Sequence, residues 1–589
     1  NFSPSDNPLL NNSFPENALV DKKLTPFASP SGYPFRQPDN QVQSHSGLDP
    51  GFFLNKSFSD TKQTRQKSSA EERKSLSGEI YLEKELELGP LEVREIILDQ
   101  TEWPQLLLSG PTLWWPADMG FPHLYLLEMT FEISGSVSDR EMIKFGIREI
   151  KTQTTEINGW LRRDFFLNGQ KIFLRGGAWV PEMLLRREAN RDRLLKELLL
   201  WRQANLNLVR LWGGGVTPGD EFFDLCDELG LLIWHDFWIT GDCQGTWGKG
   251  SRDWPLEAHV FLDNARQTIL RLRSHPSLLL WTAGNEGYPR REIYEALRNE
   301  ILARLDGTRP FLPSSGYTEP PPDWGLSWPY NQPSGTYSGG PYWWVNPEEY
   351  YNLINRGRDW LFKNEVGLPS LPLISSLRKF LVELKPSPDL PFPLNHIWGF
   401  HDACEGNGKY SLYDQAIRQR YGQPRSLADY VWKARLVNAE NYRAIFEAAN
   451  QALDRVSGVI LWKTNSAWPS VMWQLYDYYL RPNASYYFVR RSGELLHPQL
   501  DLRDKTVWLI NRSLNKEKDL LLQAEIYDIR GQKRWAREEK MEIEGRSSVK
   551  LWPIEFSGPS FCLLRLYRLK QDSSVSHSPR QTDQISQIA

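Results

Sequence analysis

The sequence predicts a multidomain protein in which a central (β/α)8 TIM barrel is flanked by immunoglobulin-like β-sandwich domains. Two patterns support this fold class. Apolar strands alternate with amphipathic helices through the middle of the chain, and short strands separated by Gly, Pro and Asp turns lie on both sides of that region. The length of 589 residues also exceeds what one hydrophobic core ordinarily fills.

The chain begins with a segment for which we expect no fold. Residues 1–78 are rich in Ser, Pro, Asn, Asp and Gln and lack any periodicity, which is typical of disorder. From 79 to 152 apolar residues alternate with polar ones. This region predicts an immunoglobulin-like sandwich, complete or partial, with strands at 79–82, 91–98, 123–131 and 141–147.

The barrel is predicted between residues 153 and 484. Helices are indicated at 191–203, 219–229, 258–274, 291–305 and 427–453. Seven strands are indicated, at 171–174, 206–211, 231–235, 278–282, 310–313, 359–363 and 456–462. The remaining strand, the sixth of eight in chain order, is expected in the loop-rich region after residue 313. A doubly wound open sheet is the alternative, although no Gly-rich phosphate loop follows the first strand.

Strands return in the last part of the chain. Residues 485–570 predict a second sandwich, with strands at 505–510, 520–527, 548–551 and 561–566. The polar residues 571–589 predict a disordered tail.

Composition excludes several classes of partner. The net charge is −3, and acidic and basic residues are both abundant, so the chain has no overall positive potential that would attract nucleic acid. No apolar run is long enough to span a membrane. The four cysteines are widely spaced, which indicates neither a disulfide framework nor a zinc site. With no visible leader and few cysteines, a cytoplasmic location is slightly favoured. The 25 Trp residues either fill cores or stack on pyranose rings.

Two glutamates follow apolar strands of the predicted barrel. Glu286 comes after the fourth strand and Glu365 after the seventh, and each is preceded by Asn. The carboxyl ends of barrel strands form the active-site face, so both carboxylates are expected at one mouth. A close carboxyl pair performs retaining glycoside hydrolysis, with one nucleophile and one general acid/base. The structural alternative for each glutamate is a helix cap or a surface salt bridge.

Other strand ends carry residues that suit a sugar site. Arg210 and Trp212 precede three glycines after the second strand, where an arginine would keep a neighbouring carboxylate ionised. A phosphate cradle is the alternative for these glycines, but no Lys-Ser/Thr follows them. Trp179, Trp462 and Trp468 would add stacking surfaces, although some tryptophans must be packing residues.

Eight segments, in this order and spacing, resemble glycoside hydrolase family 2 on its β-mannosidase, endo-β-mannosidase and exo-β-D-glucosaminidase side. They are residues 113–116, 145–149, 175–181, 210–215, 275–277, 284–286, 364–367 and 462–469. The resemblance implies that Glu365 is the nucleophile and Glu286 the general acid/base. It also implies that Asn285 binds the sugar 2-hydroxyl, Arg210 supports the nucleophile and Trp462 forms the floor of the subsite.

The signals for the substrate conflict. Residues 237–243 are similar to plant endo-β-mannosidases, whereas residues 181–186 are similar to exo-β-glucosaminidases, with Glu182 in place of Asp. β-Mannosidases usually carry Asp at the position of Met183. Asn285 favours a sugar with a free 2-hydroxyl, so the prediction is a β-mannoside, with a glucosaminide as the alternative. Tyr342 completes the candidate substrate-binding residues.

The resemblance implies a glycan substrate and neither a cofactor nor a metal. The family ordinarily begins with a jelly-roll domain, of which this sequence shows no trace, so we expect that domain to be lost or truncated. A non-catalytic carbohydrate-binding barrel is the hypothesis from another class. An aldolase would need a lysine with partners at the strand ends, and Lys363 and Lys463 are single candidates.

Overall fold

The computed structural model divides into two units, residues 1–106 and residues 107–589. It describes residues 79–183, 190–241, 243–244, 250–251, 253–316, 334–381, 396–403, 410–556, 558–569 and 581–588. The predicted disorder of residues 1–78 lies outside this range. In the described part of the first unit, a 3-10 helix spans Pro104–Leu106 and Lys84 pairs with Glu102 at 2.7 Å. The strands predicted at 79–82 and 91–98 are wrong, because these residues follow an irregular backbone path that forms no strand with the described part of the chain.

The second unit begins with two antiparallel sheets. The predicted strands near 123–131 and 141–147 are confirmed as a hairpin of β1 (Tyr125–Ile133) and β2 (Ser136–Phe145). A three-stranded sheet follows, formed by β3 (Ile150–Ile157), β4 (Trp160–Leu167) and β5 (Gln170–Ile172). Phe165 and Leu167 pack with residues from the starts of the barrel strands, so this sheet covers the amino-terminal end of the barrel.

The barrel is a curved parallel sheet of seven strands. One further residue pairs with an edge strand of this sheet through an isolated β-bridge. The strands are β6 (Leu174–Trp179), β7 (Leu208–Leu211), β8 (Leu232–Asp236), β9 (Leu278–Thr282), β10 (Phe311–Leu312), β11 (Lys363–Val366) and β12 (Gly458–Leu461). Their order in space is β10-β9-β8-β7-β6-β12-β11. Tyr337 bridges Lys363 in parallel and occupies the place predicted for the sixth strand.

Two predicted barrel strands are displaced along the chain. Residues 171–174 were expected to form the first strand, but β5 turns back antiparallel and the barrel begins at β6. The seventh strand starts at Lys363, because Arg358–Leu361 forms a 3-10 helix. The other predicted strands overlap observed ones, and β9 has the predicted bounds.

The helices surround the sheet. They are α1 (Arg191–Gln203), α2 (Asp220–Leu229), α3 (Ala258–Leu272), α4 (Arg291–Glu295), α5 (Ala303–Leu305), α6 (Pro347–Arg356), α7 (Ile374–Phe380), α8 (His396–His401), α9 (Tyr410–Tyr421), α10 (Leu427–Gln451) and α11 (Ala484–Ser492). A π-helix, Ala296–Leu302, joins α4 to α5. Asn190 caps α1 by accepting from the backbone N–H of Asp192 at 2.8 Å. Within the described residues, no helix is both long and apolar enough to cross a membrane.

The last part of the chain forms two antiparallel sheets around one apolar core. The first contains β13 (Leu496–Leu500), β14 (Thr506–Asn511) and β17 (Ser547–Pro553). The second contains β16 (Lys533–Ile543), β15 (Glu517–Asp528), β18 (Ser560–Arg568) and β19 (Gln581–Ile588). The prediction of a disordered 571–589 tail is wrong for β19, which gains backbone hydrogen bonds by pairing with β18.

The barrel extends slightly past its predicted end. The second sandwich was expected from residue 485, but α11 comes first, and its Tyr486 and Val489 lie in the barrel core. The Tyr486 hydroxyl also donates to the Leu200 carbonyl of α1 at 3.0 Å. This helix therefore completes the outer layer next to α1.

Candidate active site

Glu365 is held on both of its carboxylate oxygens. It lies in β11, where all four residues are buried, and is 3 % exposed. Arg210 Nη1 donates to Oε1 at 2.8 Å, and the Tyr342 hydroxyl donates to Oε2 at 2.6 Å. Charge-assisted bonds of this kind are short and fix the direction of a carboxylate. Glu365 is therefore held in one orientation by contacts to both of its oxygens.

Arg210 is shared between two buried carboxylates. Its Nε and Nη2 donate to Asp236 Oδ2 at 3.1 and 2.7 Å, while Nη1 reaches Glu365. Trp234 Nε1 donates to the other oxygen of Asp236 at 2.8 Å. Burial opposes the charge of Arg210, but Asp236 and then Glu365 raise its pKa above the ordinary value. The guanidinium remains a cation fixed beside Glu365.

The orientation of the Asn285 amide follows from its neighbours. Arg210 Nη2 and the Ser315 hydroxyl, the latter at 3.1 Å, both donate to Asn285 Oδ1. An arginine has no acceptor atom, so the amide oxygen must face it. Among the residues that the structure describes, both hydrogen bonds found for this side chain are accepted by the oxygen. The amide nitrogen is therefore the group that Asn285 offers to a ligand, as a donor.

Glu286 and Glu365 both act electrostatically on Tyr342. Glu286 follows β9, is partly exposed, and its backbone N–H donates to Ser315 Oγ at 3.2 Å. Burial raises the pKa of Tyr342 well above its ordinary value, and the charges of Glu365 and Glu286 raise it further. Tyr342 is thus a neutral hydrogen-bond donor whose pKa responds to the charges of both glutamates.

Two of the predicted tryptophans meet at the mouth. Trp212 follows β7 and Trp462 follows β12, and their rings form an edge-to-face pair with centroids 5.2 Å apart. The backbone N–H of Trp462 donates to the carbonyl of Val366, the residue after Glu365, at 2.9 Å. Both rings are partly exposed. The two tryptophans therefore form an aromatic pair next to the end of β11.

The other three predicted binding residues lie apart from this cluster. Trp179 is 4 % exposed and packs against Phe222 with centroids 4.7 Å apart, so the expectation that it forms a stacking surface is wrong. Glu182 accepts from the Tyr478 hydroxyl at 2.7 Å. Trp468 stacks on His401 with centroids 5.1 Å apart.

Sequence reasoning missed two residues of the site. Asp236 neutralises Arg210, and Ser315 contacts Asn285 and Glu286. A signal existed for Asp236, because it is an acidic residue that closes a fully buried barrel strand. No comparable signal marked Ser315, since serines are common after strands and only the fold brings this one to β9.

One group of side chains in the described residues has the composition of a metal site. Asp224, Asp227 and His275 have potential ligand atoms within 4.8 Å of one another. However, Asp227 already accepts from the Ser277 N–H at 3.0 Å and bonds His275 Nδ1 at 2.7 Å. His275 precedes β9, at the opposite end of the barrel from Glu286. These contacts explain the group as a structural network.

Comparisons with known proteins agree with this geometry. The family model described as glycosyl hydrolases family 2, TIM barrel domain, matches residues 161–318. The chain is 30% identical over 526 residues to the mannosylglycoprotein endo-beta-mannosidase of Lilium longiflorum, covering 81% of this chain and 53% of that protein. It is 32% identical to an exo-beta-D-glucosaminidase of Streptomyces avermitilis, covering 72% of this chain and 46% of that protein.

Two solved structures are also similar. A crystal structure of the exo-chitosanase of Amycolatopsis orientalis gives a TM-score of 0.68 at 26% identity, covering 82% of this chain and 56% of that one. The beta-D-mannosidase of Dictyoglomus thermophilum gives 0.67 at 26% identity, covering 81% and 58%. The chain thus spans about half the length of the curated relatives that it matches. These matches confirm the resemblance expected from the sequence: residues 161–318 match the TIM barrel domain of glycoside hydrolase family 2, and the chain is similar to enzymes named β-mannosidase and glucosaminidase.

Proposed function

We propose that this chain carries the site of a retaining β-glycosidase that cleaves β-mannosides, with Glu365 as nucleophile and Glu286 as general acid/base. The observation that carries the proposal is the environment of Tyr342, whose hydroxyl bonds Glu365 and experiences the charge of Glu286. Two carboxylates around one point are the minimum machinery for double displacement. The chain spans about half of its curated relatives, so the activity of the whole protein is part of the proposal.

In the first step, Glu365 attacks the anomeric carbon while the bond to the leaving oxygen breaks. Glu286 transfers its proton to that oxygen, so the aglycone departs as a neutral alcohol. In the second step, Glu286 takes a proton from water, the water oxygen attacks the anomeric carbon and Glu365 is released. Two inversions leave the product with the anomeric configuration of the substrate.

The neighbours of Glu365 prepare it for this role. Arg210 and Tyr342 occupy one lone pair on each oxygen, which holds the carboxylate in a single direction. Asp236 offsets part of the charge of Arg210. Without that second carboxylate, the cation would act on Glu365 alone and make it a weaker nucleophile.

The orientation of the Asn285 amide favours a substrate whose sugar carries a hydroxyl group at carbon 2. With its oxygen bonded to Arg210 and Ser315, Asn285 offers a donor, which requires an acceptor on the ligand. A hydroxyl can accept, whereas a protonated amino group offers only donors. This favours a β-mannoside over a β-glucosaminide, which is the alternative because glucosaminidases are similarly close relatives.

The test is hydrolysis of aryl β-mannoside, β-glucosaminide, β-galactoside and β-glucuronide, together with a Man-β-GlcNAc glycan. We expect the mannosides to be cleaved fastest, with a β-configured first product by NMR. Glu365→Ala and Glu286→Ala should each reduce the rate by several orders of magnitude while the far-UV spectrum is retained. Near-normal activity in either variant would refute the assignment. Sugar binding without turnover by the unmodified chain would instead support a non-catalytic binding barrel.

A further inference from the structure

The segment that carries Glu286 is attached to the loop that follows β8. The N–H of Asn285 donates to the Ile239 carbonyl at 2.8 Å, and the Gly241 N–H donates to the Asn285 carbonyl at 3.0 Å. Thr240 and Asn285 accordingly form a parallel bridge. These bonds fix the backbone immediately before Glu286.

Gln244, from the same loop, fixes the backbone after Glu286. Its Oε1 accepts from the Tyr288 N–H at 3.0 Å, and its Nε2 donates to the Tyr288 carbonyl. Nε2 also reaches the Trp254 carbonyl at 3.4 Å. Gln244 is 2 % exposed, and a Cβ at Gly287 would collide with its side-chain oxygen. One primary amide therefore bonds both polar backbone groups of a single residue.

Glu286 needs such support because its backbone is strained. Its φ is 50°, in the left-handed region that residues other than glycine rarely adopt. A conformation of this kind is unfavourable and persists only where the surroundings determine it. Ser315 bonds the N–H of Glu286 itself, so restraints act before, at and after this residue.

We propose that Gln244 is a positioning residue for Glu286: its bidentate bond to Tyr288 holds Glu286 in the left-handed conformation that aims the carboxyl group at the leaving oxygen. This inference rests on the proposed function, since it assigns Gln244 to the proton-transfer step. Gln244 itself touches neither substrate nor the reacting atoms.

The leaving group distinguishes this role from a general loss of structure. Departure of a dinitrophenolate needs no proton, whereas departure of a sugar alcohol does. For Gln244→Ala we expect kcat/KM on a Man-β-GlcNAc disaccharide to fall about 100-fold, within the range of general acid catalysis. On dinitrophenyl β-mannoside, kcat/KM should change by less than about threefold, because binding and nucleophilic attack are unaffected.

Azide provides a second readout. In the deglycosylation step Glu286 must accept a proton from water, and azide attacks the anomeric carbon without that help. Azide should therefore raise kcat of Gln244→Ala on the dinitrophenyl substrate, with glycosyl azide as product and Glu365 as the group displaced. Gln244→Glu keeps the acceptor but loses the Nε2 donor, and we expect an intermediate effect.

Gln474 offers a matched control. It is 0 % exposed and its Nε2 bonds the backbone carbonyls of Ser370 and Ser470, which lie outside the Glu286 segment. Gln474→Ala should leave the ratio of the two substrates' kcat/KM values unchanged. An equal loss on both substrates in Gln244→Ala, or no azide effect, would overturn the inference alone. Absence of any turnover by the unmodified chain would overturn the proposed function as well.

Discussion

Replacement of Arg210 by methionine tests whether this cation holds the buried carboxylates together. Arg210 is fully buried, and its loss would leave Asp236 and Glu365 without their counter-ion. Removing one partner of a buried ion pair costs about 3–5 kcal/mol. Because Arg210 serves two carboxylates, we expect Arg210→Met to lower the free energy of unfolding by about 5 kcal/mol, at the upper end of that range.

A second substitution, Asp236→Asn, tests the same ion pair from its acidic side. In the unmodified protein, Asp236→Asn removes charge-assisted bonds and should destabilise the fold by about 1.5–3 kcal/mol. In the Arg210→Met background the same change removes an uncompensated buried charge and should stabilise the fold. The predicted effect of one substitution therefore reverses in sign between the two backgrounds.

The pH dependence of Arg210→Met has a defined direction. Burial, the largest cause, raises the pKa of Asp236 above its ordinary value even though Arg210 lowers it. A carboxyl group whose pKa is higher in the folded state stabilises the fold below its unfolded pKa, and that stability is lost as pH rises through the folded pKa. The loss of unfolding free energy caused by Arg210→Met should therefore be larger at pH 7 than at pH 5.

The assay is urea unfolding followed by tryptophan fluorescence and circular dichroism. Arg356→Met serves as control, since Arg356 Nη2 lies 2.9 Å from Glu349 Oε1 and its side chain is 59% exposed, so its loss should cost less than about 1 kcal/mol. Additive effects of the Arg210 and Asp236 substitutions, within about 0.5 kcal/mol, would refute the reasoning.

Two further predictions concern single side chains. Tyr342→Phe removes the 2.6 Å hydrogen bond to Glu365. Because a hydrogen bond to a charged group contributes about 1.5–3 kcal/mol, kcat/KM on an aryl β-mannoside should fall at least about tenfold. An unchanged kcat/KM would contradict this role for Tyr342. Burial raises the pKa of Glu525 in β15, but its hydrogen bonds outweigh that effect and lower it to about 2. Glu525 thus stabilises the fold above its unfolded pKa, and that contribution is lost as pH falls towards 2. Glu525→Gln should reduce the fall in thermal unfolding temperature that the protein shows as the pH is lowered. An unchanged dependence of the unfolding temperature on acidic pH would exclude Glu525 as a cause of that fall.

Some errors of the sequence interpretation have a common origin. Alternation of apolar and polar residues predicted strands at 91–98 and at 123–131 equally, yet only the second overlaps a strand that pairs with a neighbour. A strand is stabilised by backbone bonds to another strand, and a local pattern does not specify that partner. The same holds for β19, whose polar sequence resembles a disordered tail but which pairs with β18.

The sequence by itself determined the barrel, the positions of Glu286 and Glu365 at two strand ends, and the resemblance to glycoside hydrolase family 2. Strand and helix periodicities are local properties, and an apolar strand that ends in a carboxyl group is visible in the chain. Only the tertiary structure decided which side chains meet. It brought Asp236 to Arg210, Ser315 to Glu286 and Gln244 to Tyr288, and it placed Trp179 in the core. These contacts join residues from different strands and loops, and their distances depend on how the whole sheet curves.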